Sequence, residues 1–381
     1  MRVPGFLKPI GEIYTRAGHQ CYLVGGAVRN MVLGQRPKDY DLATDARPEE
    51  TVELFRRVIP TGVKHGTVTI IFKGRQFEVT TFRRDQEYSD GRRPDSVEYA
   101  ESIVDDLARR DFTINAMAID LESGDFVDVT GGVEDARAGI VRAIGVPEER
   151  FREDGLRLMR AVRFAAQLGF DIEDGTFRAL KSLAERIAAV SWERIRDELA
   201  KLILSDDPGR GLVLMRDSRL LDHVLPELGA CVGVPQAGDQ DVFDHSILAC
   251  EGAPAELNLR LAALLHDVGK APTLEVSGDG SLSFHRHEHV SAELAVEALT
   301  RLRFPKALIG NVAHLITHHM FNYAPEWSDA AVRRFIARVG QDSIDDLLRL
   351  RRADTYGKTR RRTPGQQELR RRIDSVLEKD H

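Results

Sequence analysis

The chain has 381 residues, 42% hydrophobic and 30% charged, the balance of a globular protein of two or three domains and not of a disordered tail, a collagen-like chain or a small disulfide scaffold. Fifty-four basic and 60 acidic residues leave a net charge of −6, so a nucleic-acid partner would have to be met by a local positive surface. The three cysteines, Cys21, Cys231 and Cys250, form no CxxC pair, which argues for a reducing, cytoplasmic setting and against a thiolate zinc site. No apolar run approaches the roughly 20 residues of a membrane helix, and the N-terminus lacks an apolar signal core, so neither a membrane partner nor a signal peptide is expected.

In chain order, Cys21–Val24 is a short apolar strand closed by Gly25-Gly26, and Ala27–Leu33 has helical character ending at Gly34. Thr67–Phe72 and Gln76–Phe82 are β-branched runs separated by Lys73-Gly74-Arg75, a hairpin signal. Thr113–Ile119 and Phe126–Val129 are further strand candidates. Beyond about residue 150 strands nearly vanish. Leu156–Leu168, Thr176–Ala189, Trp192–Ile203, Leu257–Leu265, Ala292–Leu302 and Ala331–Val339 carry apolar residues at helical spacing. The fold class is therefore α+β, a mixed-sheet head followed by a helical remainder. The arginine-rich end, Arg349 through Arg372, reads as a solvated helix surface or an RNA-facing patch with equal weight.

The segment Leu23–Ala43, LVGGAVRNMVLGQRPKDYDLA, carries the most chemistry. Asp39 and Asp41 flank Tyr40; on a strand, residues two apart point to one face, their Cα atoms about 6.5 Å apart. Two carboxylates so placed can share Mg²⁺ ions, which keep nucleotide phosphates and water as other ligands and can activate an attacking hydroxyl while stabilising a pyrophosphate leaving group. Gly25 and Gly26 let backbone N–H groups approach phosphates at a helix start, and Arg29 in the first turn can fork onto one. A lone DxD or GG is more often a surface turn; strand, GG, helix and arginine followed by DxD is far more specific.

This segment resembles the active-site motif of the class II tRNA nucleotidyltransferase and bacterial poly(A) polymerase family, a branch of the polymerase β-like nucleotidyltransferases. Lys64–Val68 (KHGTV), Asp106–Ala118 (DLARRDFTINAMA) and Glu153–Arg157 (EDGLR) resemble further family motifs in the same order. The resemblance covers about residues 10–230. It implies a five-stranded catalytic head and a helical neck that reads the incoming base. It implies nucleotide contacts from Gly26, Arg29, Arg110 and Asp111, with Arg160 and Arg163 reaching the triphosphate or the RNA end. Glu78 in QFEVTTF is a third candidate metal carboxylate. The loop Arg83–Pro94 resembles one that, in full CCA-adding members, helps the switch from C to A addition.

Asp154 and Arg157 are three apart on a predicted helix, hence on one face. A carboxylate only accepts hydrogen bonds and a guanidinium only donates. Cytosine and adenine each present an amino donor beside a ring acceptor and fit that pair. Uracil reverses the pattern and guanine mismatches it, leaving buried polar groups unpaired. The bland reading is a surface ion pair, worth little.

Eight of the 12 histidines lie between His245 and His319. His266-Asp267 follows an apolar helical run in LLHDVGKAP, with His245 upstream and His287, His319 and Asp354 downstream. This ordered set resembles the HD phosphohydrolase superfamily. His245, His266, Asp267 and Asp354 are the implied metal ligands, with His287 and His319 as additional ones in two-metal members. Mixed imidazole and carboxylate ligands suit a transition metal (Mn, Ni, Co or Fe) better than Mg²⁺. His285, His289, His314 and His318 are read as bystanders.

The expected organisation is a nucleotidyltransferase head at 1–145, a helical neck and body at 146–230, and a helical HD domain at 231–381. The expected activity is addition or repair of the CCA end of tRNA from CTP and ATP with Mg²⁺, alongside HD-type phosphoester hydrolysis. A CC-only or A-only adding enzyme and a poly(A) polymerase share the same motifs. An HD metallophosphohydrolase with an RNA-binding head is the reading from another class, opposed by the intact Asp39/Asp41 pair.

Overall fold

The computed structural model describes residues 2–63, 66–84, 98–236, 239–359 and 365–379, and separates into two compact units, Met1–Val190 and Ser191–His381. The first unit opens with α1 (Lys8–Arg16), β1 (Cys21–Val24), α2 (Gly26–Val32), β2 (Asp41–Thr44), α3 (Pro48–Leu54) and β3 (Val58–Gly62). There follow β4 (Thr67–Phe72), β5 (Arg75–Thr81), the short β6 (Arg83–Arg84) and β7 (Glu98–Tyr99), α4 (Ile103–Ala108), β8 (Met117–Asp120), β9 (Phe126–Asp128) and α5 (Gly132–Ala138). After β10 (Ile140–Val141) come α6 (Pro147–Glu153), α7 (Leu156–Leu168), β11 (Asp171–Ile172) and α8 (Asp174–Ser182).

Seven strands form one mixed sheet in the order β3-β4-β5-β2-β1-β8-β9, two strands wider than the five expected. The edge strand β3, VIPTG, contains a proline and does not alternate, so no pattern announces it. The β4–β5 hairpin closes at Phe72↔Arg75 with Lys73 and Gly74 both at positive φ, 48° and 76°, the two-residue turn whose twist matches the strands. Leu23, Leu42, Val79 and Ile119 pack against Leu7, Ile10 and Tyr14 on one face. Val24, Ala43 and Ala118 pack against Ile103 and Leu107 on the other. Both faces of the sheet are thus covered by apolar residues, through the period-2 alternation of strand side chains.

Two sequence expectations change. Thr113–Asn115 is a 3-10 turn, and only Met117–Asp120 of the predicted strand joins the sheet. Thr113 gives its hydroxyl proton to Asp135 at 2.6 Å and the Asn115 amide donates to Asp111 at 3.3 Å, side-chain bonds that hold the segment out of the ladder. Asp154 is not helical; it lies in extended conformation between α6 and α7 and accepts the Leu156 N–H at 3.0 Å. Gly155, which follows, itself has helical backbone angles, and a Cβ there would lie 2.6 Å from the Arg186 carbonyl oxygen, so this close approach needs glycine.

The second unit is helical apart from one small ribbon. It runs α9 (Trp192–Ile203), α10 (Pro208–Asp217), α11 (Leu221–Val224), α12 (Pro226–Gly229), α13 (Val242–Gly252), α14 (Leu257–Leu265), α15 (Lys270–Thr273), the β12–β13 ribbon (Leu274–Val276, Leu282–Phe284), α16 (His287–Arg301), α17 (Lys306–His318), α18 (Asp329–Val339), α19 (Ile344–Thr359) and α20 (Gly365–Lys379). Helix α14, LNLRLAALL, is buried along nearly its whole length, so its end delivers the next two residues to the centre of the unit. The architecture is therefore α+β, a mixed-sheet head followed by helices. Among the described residues no helix is long and apolar enough to cross a membrane. The three cysteines are free and buried.

Candidate functional sites

Asp39 precedes β2 and Asp41 begins it. Tyr40 and Leu42 turn into the apolar cluster on one face, so the parity of the chain turns Asp39 and Asp41 the other way. Strand β2 pairs in parallel with β5 through Leu42↔Val79, which brings Glu78 beside Asp41. All three carboxylates line a single crevice of about 640 Å³. Desolvation in the crevice, then Glu78, then Asp39 push the Asp41 carboxyl above the ordinary range, while Arg110 pulls it back. Three carboxylates held together against their own repulsion fit a hard divalent cation.

Arg110 sits under the glycine turn. Gly25 has φ +69°, which favours glycine, and a Cβ there would approach Arg110 Nη1 to 3.2 Å. The buried Asp106 holds Arg109 at 2.7 Å and Arg110 at 3.0 Å. Burial alone would raise its carboxyl, but the two guanidiniums keep it below the usual range.

Arg29, on α2, donates to Asn115 Oδ1 at 2.8 Å. Its guanidinium shares the Phe164 ring with those of Arg160 and Arg163, at 5.5, 5.3 and 3.8 Å from the ring centre. Burial, Arg163 and Arg160 push Arg29 down to about 10 against the pull of Asp111, so it remains charged at neutral pH. Asp111 accepts from Arg160 Nε at 2.6 Å. Burial would raise the Asp111 carboxyl; Arg160 overrides it and holds the group ionised below its usual range. The structure therefore brings Arg29, Asp111, Arg160 and Arg163 into one cluster with an excess of positive charge, with Gly26 against Arg29.

Arg157 is buried in the first turn of α7. It pairs with Glu153 and donates to the carbonyls of Arg150 and Arg109 at 3.1 and 3.2 Å. It is not the exposed arginine of a surface ion pair, and Glu153, which sequence reasoning passed over, is an acidic partner of it. Residues 85–94 of the expected switching loop, together with Lys64, His65 and Arg360–Arg362, lie outside the described residues. Other arginines of the basic end are engaged by acidic neighbours: Arg349 by Glu256, Arg370 by Asp345 and Asp374, and Arg372 by Asp329.

In the second unit His245 (α13), His266 and Asp267 (after α14), His287 (start of α16), His319 (after α17) and Asp354 (α19) converge, and all six are buried. Two groups with ligand atoms within 4.8 Å of one another share Asp267: His245, His266 and Asp267, and Asp267, His287 and His319. Asp267 Oδ2 lies 3.4 Å from His245 Nε2 and 3.2 Å from His266 Nε2, and Oδ1 lies 3.2 Å from His287 Nε2 and 3.7 Å from His319 Nε2. Asp354 Oδ1 lies 3.2 Å from His245 Nε2.

Three of the histidines use one device. Nδ1 of His266, His287 and His319 lies 2.8, 3.0 and 2.7 Å from the carbonyl oxygens of Ala263, Phe284 and Ile316, three residues earlier in each case. A carbonyl only accepts, so Nδ1 carries the proton and Nε2 faces the cluster. At His266 and His319 the acceptor is a carbonyl in the last turn of a helix. The inward His287 Nε2 and Asp354 Oδ1 have no hydrogen-bond partner among the described residues. Burial disfavours a charged His266, yet Asp267 and Asp354 raise it to about 9; burial and His266 depress His319 to about 3. The cluster thus attracts a cation, and the donor set, with Asp267 shared by both groups, would hold one or two metal ions. His314 donates its Nε2–H to the Val339 carbonyl at 2.7 Å and meets His318 edge to face, outside this cluster. Lys270, 2.7 Å from Asp267 Oδ2, and Lys358, 2.8 Å from Asp354 Oδ1, were not marked in the sequence.

The first unit contains a nucleotidyltransferase head: residues 21–142 match the poly A polymerase head domain. Residues 169–231 match the probable RNA and SrmB-binding site of polymerase A, and residues 243–359 match the HD domain. In chain order these are the regions of a poly A polymerase-type nucleotidyltransferase followed by an HD domain. It is similar to a CCA-adding enzyme of Lactiplantibacillus plantarum, 49% identical over 242 residues, 64% of this chain and 57% of the relative. One from Lactobacillus helveticus is 45% identical over 221 residues, 58% of this chain and 55% of the relative. The chain thus spans a little over half the length of the curated relatives it matches. Among solved structures, a Bacillus stearothermophilus CCA-adding enzyme in complex with CTP superposes with a TM-score of 0.73 at 29% identity, covering 98% of this chain and 83% of the other. A Thermotoga maritima CCA-adding enzyme complexed with tRNA, TM-score 0.58 at 22% identity, covering 99% of this chain and 83% of the other, shares the fold. Nucleotidyltransferase heads and HD domains both depend on divalent metal ions.

Proposed function

We propose that the chain adds or repairs the 3′-terminal CCA of tRNA, using CTP and ATP with Mg²⁺ and no nucleic-acid template. The observation that carries this is the Asp39, Asp41 and Glu78 crevice on the head sheet. Mg²⁺ bound there supplies charge neutralisation and a more acidic attacking hydroxyl. Asp39 and Asp41 hold it, with Glu78 at the neighbouring strand. Gly26, Arg29, Arg110, Asp111, Arg160 and Arg163 bind the incoming nucleotide. The crowded guanidiniums take the triphosphate, where charge grows as pyrophosphate leaves. Asp154 and Arg157 read the base, the carboxylate accepting from the amino group and the guanidinium donating to the ring nitrogen. Glu153 and the backbone carbonyls of Arg109 and Arg150 fix Arg157 for that task.

Phosphoryl transfer runs in line, so the attacking hydroxyl must approach from the side opposite the departing pyrophosphate. The crevice wall beyond the carboxylates carries Arg36, Lys38 and Arg75, none of them in the arginine cluster about Phe164. These three cations suit the backbone phosphates of the RNA 3′ end.

The HD cluster hydrolyses a phosphomonoester or 2′,3′-cyclic phosphate with a transition metal, held by His245, His266, Asp267 and Asp354 and by Asp267, His287 and His319. In this reading residues 1–145 perform transfer, 146–230 select the nucleotide and meet RNA, and 231–381 process damaged ends in a cytoplasmic enzyme. The deciding experiment incubates the protein with tRNA ending at the discriminator base, at C and at CC, with each NTP separately. Stepwise C, C, A incorporation supports the reading. A-only extension, or repeated A addition, makes it a different member of the family. No extension at all with Mg²⁺ removes it.

A further inference from the structure

Asp354 carries an unusual load. Its Oδ1 faces His245 Nε2 at 3.2 Å and His266 Nε2 at 3.6 Å, and the same oxygen lies 2.8 Å from the ammonium of Lys358, one turn on along α19. Arg351, one turn earlier, takes the other oxygen at 2.7 Å. Oδ1 makes no well-directed hydrogen bond among the described residues, so its link to Lys358 is an ion contact and not a locked one. The Lys358 side chain is 47% exposed, that of Arg351 24%. Lys270 stands on Asp267 in a similar way, but it is 11% exposed and also donates to Gln236 at 3.0 Å, which holds it in place.

We propose that Lys358 is a displaceable counter-cation of the HD cluster: it neutralises Asp354 while no metal is bound, yields that oxygen to an incoming divalent ion, and then offers its freed ammonium to the phosphate of the substrate. The inference rests on the reading of this cluster as a metal site and is independent of nucleotide addition. A buried carboxylate without a compensating charge is costly, which explains why a cation stands there at all. An ammonium and a divalent ion on one oxygen repel each other, so the two bind in competition. Lysine suits the exchange, with a flexible stem and three donors that serve a phosphate as well as a carboxylate. Arg351, on the outer oxygen, keeps Asp354 oriented in both states.

Competition makes the two effects of substitution opposite in sign. Chelator-treated protein is titrated with Mn²⁺ by calorimetry, with His266→Ala as the blank that removes only this site. Lys358→Met keeps the stem and loses the charge. It is expected to bind Mn²⁺ roughly tenfold more tightly, within the range of ordinary coupling between competing ligands. Inorganic phosphate is expected to bind the Mn²⁺-loaded variant more weakly by a similar factor, and Lys358→Arg to restore part of that binding. The metal-free variant should melt below metal-free wild type, with the gap closing when Mn²⁺ is added. Unchanged or weaker Mn²⁺ binding by a folded Lys358→Met protein overturns the proposal. So does unchanged phosphate binding. Wild type that matches the His266→Ala blank overturns the metal site and the proposal with it, while leaving nucleotide addition untouched.

Discussion

Asp111, just after α4, and Arg160 on α7 form an ion pair across 49 residues of the first unit, with Arg160 Nε 2.6 Å from Asp111 Oδ2. Asp111 is nearly buried and also accepts the Asn115 amide, which in turn holds Arg29. The carboxylate thus orients two of the three guanidiniums around Phe164, one directly and one through Asn115. Asp111→Asn keeps the shape but loses the charge. Losing a hydrogen bond to a charged group costs about 1.5–3 kcal/mol. The expected result is a KM for CTP and ATP raised roughly tenfold or more, since each 1.4 kcal/mol is tenfold, with tRNA binding retained. Steady-state extension assays with equilibrium tRNA binding check it; an unchanged KM for nucleotide would remove Asp111 and Arg160 from the nucleotide site.

Asp41 should limit stability as well as support activity. Its carboxyl is raised by desolvation, Glu78 and Asp39, so the folded chain holds that proton to higher pH than the unfolded chain does. The resulting penalty is absent below the unfolded value and fully present above the folded one. Asp41→Asn should therefore raise the melting temperature of the metal-free protein at pH 7. The advantage should shrink as pH falls toward the ordinary carboxylate value of about 3.9. The same variant should lose nucleotide addition, as should Asp39→Ala. Melting curves with and without Mg²⁺ make the test: wild type should gain stability on Mg²⁺ addition and Asp41→Asn should gain little. Wild-type-like extension by either variant rejects the metal-holding role.

Base choice should reside in Asp154 and Arg157. Truncating either group leaves the amino or ring position of cytosine and adenine without its partner, while removing the mismatch that rejects uracil and guanine. Arg157→Ala and Asp154→Ala should narrow the preference for C and A over U by about one to two orders of magnitude, the scale of an unpaired buried polar group. Glu153→Gln should act in the same direction through Arg157, more weakly. Single-nucleotide extension with all four NTPs reads the ratios. An unchanged ratio in both alanine variants would return the pair to a structural role.

The legible parts of the molecule are those where neighbouring residues carry their own pattern. Helix α7 matches the expected Leu156–Leu168 because its apolar period is complete, and β1 matches Cys21–Val24 because an apolar run ends at paired glycines. The Asp39/Asp41 pair was readable because spacing alone sets which face both carboxylates share. The break at Asp154 was not, since helical spacing runs through it and gives no sign of the Leu156 N–H bond to its carboxylate between α6 and α7. Nor was the 3-10 turn at Thr113–Asn115, which Asp135 and Asp111 hold from other parts of the chain. The histidine set could be named from its order. The sharing of Asp267 between two groups, and the carbonyls that fix each tautomer, arise only where helix ends meet.

The three cations on the crevice wall should discriminate between substrates. Arg36, Lys38 and Arg75 line the carboxylate crevice without entering the Phe164 arginine cluster. Replacing them should therefore raise the KM for tRNA and leave that for CTP nearly unchanged. Each cation removed from a backbone phosphate should also reduce the salt dependence of tRNA binding, by a slope of about 0.7–0.9 per phosphate. The double variant Arg36→Ala with Lys38→Ala gives the clearest reading, because Arg75 also packs over Phe6, 4.3 Å from its ring centre, and its loss would disturb the fold. If CTP binding weakens instead, these residues belong to the nucleotide side and the direction of approach is reversed.

The transfer and hydrolysis chemistries should separate cleanly. Asp39, Asp41 and Glu78 lie in the unit Met1–Val190, whereas His245, His266, Asp267, His287, His319 and Asp354 lie in Ser191–His381, each set complete within its own unit. The ligand types differ as well, carboxylates alone in the first and imidazoles with carboxylates in the second, so the two sites should prefer different metals. His266→Ala or Asp267→Ala should abolish hydrolysis of a 2′,3′-cyclic nucleotide or phosphomonoester assayed with Mn²⁺, Ni²⁺ or Co²⁺, and nucleotide addition with Mg²⁺ should survive. Asp267 carries the greater weight: it alone belongs to both ligand groups, so its loss should abolish both bound ions, whereas His319→Ala should lose one and keep the other. Metal content by elemental analysis after dialysis resolves these outcomes. Equal metal loss in the Asp267 and His319 variants would mean a single ion, and loss of nucleotide addition in a folded His266→Ala protein would mean that the two sites do not act independently.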